Sequence, residues 1–159
     1  MSDYLNNPHD HFFKELLARP EHVAAFLEAS LPAEVLALLE VAQPEPVKDS
    51  FVDEALREQH SDLLYRVKRR ADGGAAYVYI LFEHKSAPDE WVAWQLLRYL
   101  VRLWEQLLRQ GAEKLPPVFP LVFYHGARRW QVPVEFSALL ELGQAAPLRA
   151  FQPEFRYYL

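Results

Sequence analysis

The first third of the chain has apolar residues at helical spacing. Residues 9–18 and 20–30 each have the apolar face of an amphipathic helix, and a shorter helix is predicted from 32 to about 39. The sequence Gln-Pro-Glu-Pro at 43–46 predicts a loop, because proline lacks a backbone N–H and restricts the residue before it. We therefore expect a helical N-terminal part over residues 1–45.

The middle of the chain changes to long apolar runs that are typical of strands. Residues 62–70 form one such run, and residues 77–84 form a second that is rich in aromatic and β-branched side chains. The Asp-Gly-Gly sequence at 72–74 lies between them and predicts a hairpin turn. Because the second run is almost wholly apolar, we expect a central strand that is covered on both faces.

The longest predicted helix runs from about residue 90 to 110 and ends at Gly111. It carries a stripe of leucines opposite a polar stripe, as expected for a helix that packs on a core. A further strand is predicted at residues 118–124. Strand, long helix and strand in this order imply a parallel crossover. The fold class is therefore α/β, with a mixed central β-sheet flanked by helices.

Length and composition indicate a single domain with a full hydrophobic core. The 159 residues are 51% hydrophobic, and no low-complexity tract interrupts them. The absence of cysteine excludes disulfides, thiol catalysis and cysteine-bound zinc. No apolar run reaches the ~18 residues of a membrane span, and the N-terminus lacks a secretory pattern. We therefore expect a cytoplasmic protein with no membrane partner.

The net charge of −5 is unevenly distributed along the chain. Residues 1–59 carry 4 basic and 12 acidic side chains, whereas residues 60–114 carry 9 basic and 7 acidic ones. An acidic protein is not an obvious partner for nucleic acid, since phosphate contacts supply much of that affinity. The basic segment nevertheless contains the candidate chemistry, so charge alone does not decide the class of partner.

Three charged residues lie at the ends of the two middle strands. Asp62 opens the first strand, and Glu83 and Lys85 close the second. A buried charge is costly unless it is paired or bound to a metal, so the two carboxylates suggest a divalent-metal site. Carboxylate oxygens are hard ligands of the kind that Mg²⁺ or Mn²⁺ prefers. Such an ion can polarise a phosphodiester and activate water for its hydrolysis.

Neighbouring positions extend this set of residues. Lys85 lies two residues after Glu83, so both side chains are expected on one strand face, where the ammonium group can activate water or neutralise a phosphate. The side chain of His84 is expected on the opposite face, but its backbone carbonyl can bind the metal. On the long helix, Gln95 and Tyr99 are four residues apart and share a face that can contact the substrate.

The pattern Asp62, Glu83-x-Lys85 and Gln95-x-x-x-Tyr99 resembles that of the PD-(D/E)XK nuclease superfamily, and its last element resembles the RecB-like branch. Stretches between about residues 8 and 130 also resemble the Rpn family of recombination-promoting nucleases, labelled YhgA-like transposases as well. These stretches are residues 9–14, 61–67, 79–86, 97–99 and 120–126. Serine stands before Asp62, where the superfamily name has proline, and this leaves the metal ligand in place.

The resemblance implies a restriction-endonuclease-like core over about residues 50–126, within a single domain of residues 1–159. The implied activity is that of a DNA endonuclease that depends on Mg²⁺ (or Mn²⁺) and is linked to recombination or mobile elements. The implied catalytic residues are Asp62, Glu83, Lys85, Gln95 and Tyr99, and the metal ligands are Asp62, Glu83 and His84. Family members are usually longer, so a native C-terminal region beyond these residues is also expected.

Simpler interpretations of the same residues remain open. Asp62 can cap a turn before its strand, and Glu83 with Lys85 can form a surface ion pair at a strand end. The chain would then be a catalytically degenerate nuclease fold that binds nucleic acid or protein. A second alternative is a structural dimerisation module, in which the tryptophan-rich long helix forms the interface of a homodimer.

Other residues are weaker candidates for the site. Glu15 could supply an extra acid from the first helix, whereas the two histidines of residues 9–11 do not face together on a helix. His125 follows a strand and is expected to be a satisfied strand-end histidine. The Arg128-Arg129 pair predicts a solvated turn, with contact to DNA as the alternative.

Overall fold

The computed structural model describes residues 15, 17, 19–47, 61–83, 88–124 and 126–159. The helices are α1 (Pro20–Ser30), α2 (Ala33–Leu36) and α3 (Val92–Arg109), and the strands are β1 (Leu39–Pro46), β2 (Ser61–Arg69), β3 (Ala75–Glu83) and β4 (Val118–Tyr124). The strands form one sheet in the order β1-β2-β3-β4, with helices packed on its faces. The predicted fold class, a mixed central sheet flanked by helices, is confirmed.

The predicted hairpin is present. β2 pairs antiparallel with β3 from Asp62↔Leu81 to Lys68↔Ala75. In the turn, the Arg69 guanidinium donates two hydrogen bonds to the Asp72 carboxylate, at 2.9 and 3.0 Å. These hydrogen bonds favour the charged carboxylate and lower the pKa of Asp72 from its ordinary value. The pair therefore closes the turn at the end of the hairpin away from Asp62.

The predicted parallel crossover is also present. α3 connects β3 to β4, and these two strands pair in parallel register from Tyr77↔Val118 to Glu83↔Tyr124. The buried side of α3 includes Leu96, Leu100 and Leu103, which belong to the predicted leucine stripe. The helical period of the sequence therefore identified the face of α3 that packs on the sheet.

The predicted loop at residues 43–46 is wrong, because this segment belongs to β1. The strand pairs with β2 from Leu39↔Arg69 to Pro46↔Tyr65, with a shift of register between residues 40 and 45. Proline is accepted here because β1 is an edge strand, where one row of backbone groups needs no partner strand. The register shift also relaxes the ladder where the prolines lie.

The N-terminal helices agree with their predictions in part. α1 has the predicted bounds, whereas α2 ends three residues earlier than expected because Leu39 already pairs with β2. Most of the helix predicted at 9–18 lies outside the described residues. In the described part of the chain, no helix is both long enough and apolar enough to cross a membrane.

Two hydrophobic cores lie on opposite faces of the sheet. On one face, α3 packs against a layer that includes Tyr79, Leu81 and Val122. On the other face, α1 packs against a layer that includes Val78 and Ile80. Eight of the nine residues of β3 are buried, in agreement with a central strand that is covered on both sides.

The residues after β4 fold back along the sheet and its α3-side core. Two short 3₁₀ helices, Phe136–Leu139 and Gly143–Phe151, are joined by irregular segments. Tyr157 is buried in the α3-side core. The next residue, Tyr158, forms two backbone hydrogen bonds with β4, since its N–H donates to the Pro120 carbonyl at 2.9 Å and its carbonyl accepts from Val122 at 2.8 Å.

We predict that the chain loses stability at alkaline pH in part through Tyr65. Burial raises the pKa of Tyr65 from 10.0 to about 12, and its hydroxyl donates to the Leu17 carbonyl at 3.0 Å. The unfolded chain therefore loses this proton first, and the free energy of unfolding falls as pH rises from 10 toward 12. Urea unfolding across this range should show a shallower fall for Tyr65→Phe. Parallel curves for the two proteins would contradict the prediction.

Candidate functional site

The register of the sheet brings Asp62 and Glu83 to the same face and the same end. Asp62 lies directly opposite Leu81, so their side chains share a face of the sheet. Glu83 is two residues beyond Leu81 and faces the same way. The two carboxylates are thus diagonal neighbours, whose backbones on such a ladder are roughly 7–8 Å apart. This is the side of the sheet that α3 covers.

The Asp62 carboxylate is oriented by a tyrosine from the neighbouring strand. The hydroxyl of Tyr79 donates a hydrogen bond to Asp62 Oδ2 at 3.1 Å. The ring of Tyr79 stacks on that of Tyr99 in α3, with ring centroids 3.7 Å apart. The two rings are buried, so this stack connects the helix to a carboxylate at the partly exposed edge of the sheet. Tyr99 is therefore linked to the Asp62 carboxylate by way of Tyr79.

Glu83 is sealed inside the protein. Only 1% of its surface is exposed, and it is the single buried charged residue in the described ranges. Transfer of a carboxylate from water into a protein interior is costly, so this position is unfavourable for folding unless the charge is compensated. The surface ion pair considered for Glu83 as the simpler interpretation is inconsistent with this burial.

Gln95 is fixed by a residue that the sequence analysis did not single out. Its Nε2 donates to Asp89 Oδ2 at 2.9 Å, while Asp89 Oδ1 accepts from the backbone N–H of Trp91 at the same distance. Asp89 thus binds the start of α3 and the glutamine together. The available signal was an aspartate just before a predicted helix, which is a common capping position.

The side-chain oxygen of Gln95, Oε1, has no hydrogen-bond partner among the described residues. This oxygen is also buried. An isolated buried carbonyl oxygen loses its hydration without compensation. Amide and carboxylate oxygens are hard ligands of the kind that Mg²⁺ or Mn²⁺ prefers.

Several of the candidate residues lie outside the described part of the chain. His84 and Lys85 lie outside the described residues, as do His125 and the histidines of residues 9–11. Glu15 is described and is exposed. Within the ranges that the structure describes, no group of three or more His, Asp or Glu side chains is close enough to hold a metal. The structure therefore brings together Asp62, Glu83 and the Tyr79–Tyr99 pair.

The tryptophans of α3 divide between the surface and the core. Trp91 and Trp94 are 57% and 47% exposed. Trp104 is partly buried against the α3-side core, and its Nε1 donates to the Pro116 carbonyl at 2.9 Å. Packing against the core thus explains the position of Trp104. A homodimer formed through this helix stays a prediction.

Comparison with known proteins gives a consistent set of relatives. Residues 7–159 match the family model described as "Putative transposase, YhgA-like". The chain is similar to recombination-promoting nuclease RpnA of Escherichia coli (strain K12), with 38% identity over 121 residues, or 76% of this chain and 41% of that protein. It is also similar to recombination-promoting nuclease RpnD of Escherichia coli O157:H7, with 37% identity over 124 residues, or 77% of this chain and 47% of that protein.

One further relative has a different description. It is the inactive recombination-promoting nuclease-like protein RpnE of Escherichia coli (strain K12), 35% identical over 123 residues, which are 76% of this chain and 40% of that protein. The chain thus spans less than half the length of each of these three relatives. No solved structure matches it.

We predict that the ring of Tyr99 is needed for stability and that its hydroxyl is not. Tyr99→Ala removes a buried ring and its stack on Tyr79, so it should lower the free energy of unfolding by about 3–5 kcal/mol. Tyr99→Phe keeps the ring and serves as the matched control. Urea unfolding of both variants tests this, and an equal loss in the two would show that the hydroxyl carries the effect.

Proposed function

Because the chain belongs to the YhgA-like transposase family, we propose that it is a DNA endonuclease of the restriction-endonuclease-like type that hydrolyses phosphodiester bonds with a divalent metal. The observation that carries the proposal is the placement of Asp62 and Glu83 on one face and at one end of the central hairpin. The relatives named recombination-promoting nucleases support a role in recombination or in mobile DNA. Cytoplasmic action on DNA belongs to the same proposal.

Asp62 and Glu83 would hold Mg²⁺ or Mn²⁺, with the backbone carbonyl of His84 as the expected third ligand. When bound, such an ion polarises the scissile phosphate and lowers the pKa of a coordinated water. The donor set fits this ion, because Asp62 and Glu83 supply carboxylate oxygens from one face of the sheet, and Oε1 of Gln95 is a buried carbonyl oxygen that accepts no hydrogen bond from the described residues. A bound cation would also offset the cost of burying the Glu83 charge.

The surrounding residues would position these groups and the substrate. The hydrogen bond from Tyr79 holds one oxygen of Asp62, which restricts the rotation of the carboxylate. The bond from Gln95 Nε2 to Asp89 turns Oε1 of the same amide away from that partner, so Oε1 can accept a hydrogen bond from water or substrate. Lys85 is proposed to neutralise the phosphate or to assist deprotonation of the attacking water.

A catalytically degenerate module that binds nucleic acid or protein is the second candidate. It is favoured by RpnE, whose name includes the word inactive although its identity to this chain is 35%, close to the 37% of RpnD. Such a module would bind DNA without cutting it, and substitution of the carboxylates would leave DNA binding unchanged. Cleavage and binding must therefore be measured separately.

We predict metal-dependent nicking of supercoiled plasmid in Mg²⁺ or Mn²⁺ and none in EDTA. Asp62→Asn, Glu83→Gln and Lys85→Ala should each reduce the nicking rate by about 10²-fold or more, because each removes a ligand or a charge from the site. Glu105→Gln is the matched control, since Glu105 is exposed on α3. Nicking that persists in EDTA, or in all three site variants, would overturn the proposal.

We predict that Tyr79 is a positioning residue. Tyr79→Phe removes the hydrogen bond to Asp62 but keeps the stacked ring, so it should slow nicking roughly 10-fold with a small effect on unfolding. Higher Mn²⁺ concentrations should partly restore the rate, because a less well oriented carboxylate binds the ion more weakly. A rate equal to that of the original protein at limiting metal would contradict this role.

A further inference from the structure

A large cleft opens beside the start of α3. Its volume is about 760 Å³, and α3 and the segment before it contribute Pro88, Glu90 and Ala93 to one side. The other side is built from the segment that follows β4, including Arg128, Arg129 and six residues between 131 and 139. The size of the cleft and the two guanidinium groups in its wall make it a candidate binding surface.

The sheet register relates this cleft to the carboxylates. Glu83, the last residue of β3, pairs with Tyr124, the last residue of β4. Parallel strands have their carboxyl ends on the same side of the sheet. The chain therefore leaves β4 toward Arg128 at the end of the sheet where Glu83 lies. Asp89, which accepts the hydrogen bond from Gln95 Nε2 at 2.9 Å, lies between Pro88 and Glu90 of the cleft wall. The cleft wall is therefore continuous in sequence with the residue that holds Gln95.

Arg128 and Arg129 differ from the arginines that serve the fold. Arg69 is paired with Asp72, and Arg70 donates through Nε to the Leu36 carbonyl at 3.0 Å. The side chains of Arg128 and Arg129 are exposed, and neither forms a hydrogen bond or ion pair with the described residues. Two neighbouring guanidinium groups without such partners are available to bind an anion.

The backbone that carries these arginines is held in place. The hydroxyl of Tyr124 donates to the Arg128 carbonyl at 2.7 Å. A β-carbon at Gly126 would collide with the Tyr124 ring, so this close approach requires glycine. The Tyr124 ring also meets Trp130 edge-on, at 5.0 Å between centroids, and Trp130 Nε1 donates to the Val132 carbonyl at 3.0 Å. The loop is thus organised before any ligand binds.

We propose that Arg128 and Arg129 bind the sugar-phosphate backbone of DNA in this cleft, next to the phosphate that is cut. The inference rests on the proposed function and adds the surface that holds the substrate. Guanidinium groups match phosphate oxygens in charge and geometry, and they read no base sequence. Glu90 and Glu135 also line the cleft, so the two positive and two negative charges of its lining cancel. We therefore assign the phosphate contacts to the side of the cleft that carries Arg128 and Arg129.

Fluorescence anisotropy with a labelled 20-base-pair duplex in Ca²⁺ tests the proposal across a series of salt concentrations. Replacement of both Arg128 and Arg129 by alanine should weaken binding at least 10-fold at low salt. A plot of the logarithm of the binding constant against the logarithm of the salt concentration has a negative slope. Its magnitude should decrease by about 2, one for each lost phosphate contact. Replacement of both by lysine should retain most of the slope, because the charge is kept.

Arg109→Ala is the matched control. Arg109 is the exposed last residue of α3, roughly 24 Å along the helix axis from Ala93 of the cleft wall. The Arg109→Ala substitution should leave both the affinity for DNA and its dependence on salt concentration unchanged. Unchanged affinity and slope in the double alanine variant would overturn the inference, as would an equal effect of Arg109→Ala.

Nicking assays on the same proteins separate this inference from the proposed function. DNA binding that depends on Arg128 and Arg129, without any metal-dependent nicking, would support the cleft and reject the endonuclease. Nicking that depends on Asp62, with binding indifferent to the two arginines, would support the endonuclease and reject the cleft. A protein that binds no DNA would reject both.

Discussion

The central strand β3 imposes the constraint on which the candidate site depends. Its side chains are buried on both faces, so it cannot shift without disturbing the core under α1 and the core under α3. Glu83 ends this strand and is held inside the protein with it. A strand packed on both faces can hold a carboxylate at a fixed position away from solvent, where a charge is costly unless it is compensated.

Asp62 is held in a different way, because it lies at a partly exposed position on a strand with less cover. Its orientation depends on the hydroxyl of Tyr79, whose ring lies against Tyr99 of α3. The ring of Tyr99 in α3 therefore supports the position of Asp62 through packing on Tyr79. The two carboxylates are thus fixed in different ways. Glu83 is held by the packing around its strand, whereas a hydrogen bond limits the rotamers of the more exposed Asp62.

The sequence was sufficient for those parts of the fold that depend on periodicity. The hairpin, the crossover and the packed face of α3 follow from apolar spacing and turn residues, which are local properties. The β1 prolines were misinterpreted because only the assembled sheet makes that segment an edge. Asp62 and Glu83 were singled out by their positions at strand ends, and the register of the sheet places them on one face. The support from Tyr79 and Asp89 was missed because those hydrogen bonds join side chains whose proximity is set by register and helix packing.

The backbone contacts of Tyr158 have a consequence for how copies of this protein can meet. An open sheet edge is a template for another strand, and this sheet has two edges, β1 and β4. Tyr158 occupies part of the β4 edge, and the prolines of β1 remove donors from the other. Both routes to strand-by-strand growth are therefore obstructed. Addition of further strands at the described edges of this sheet is therefore disfavoured.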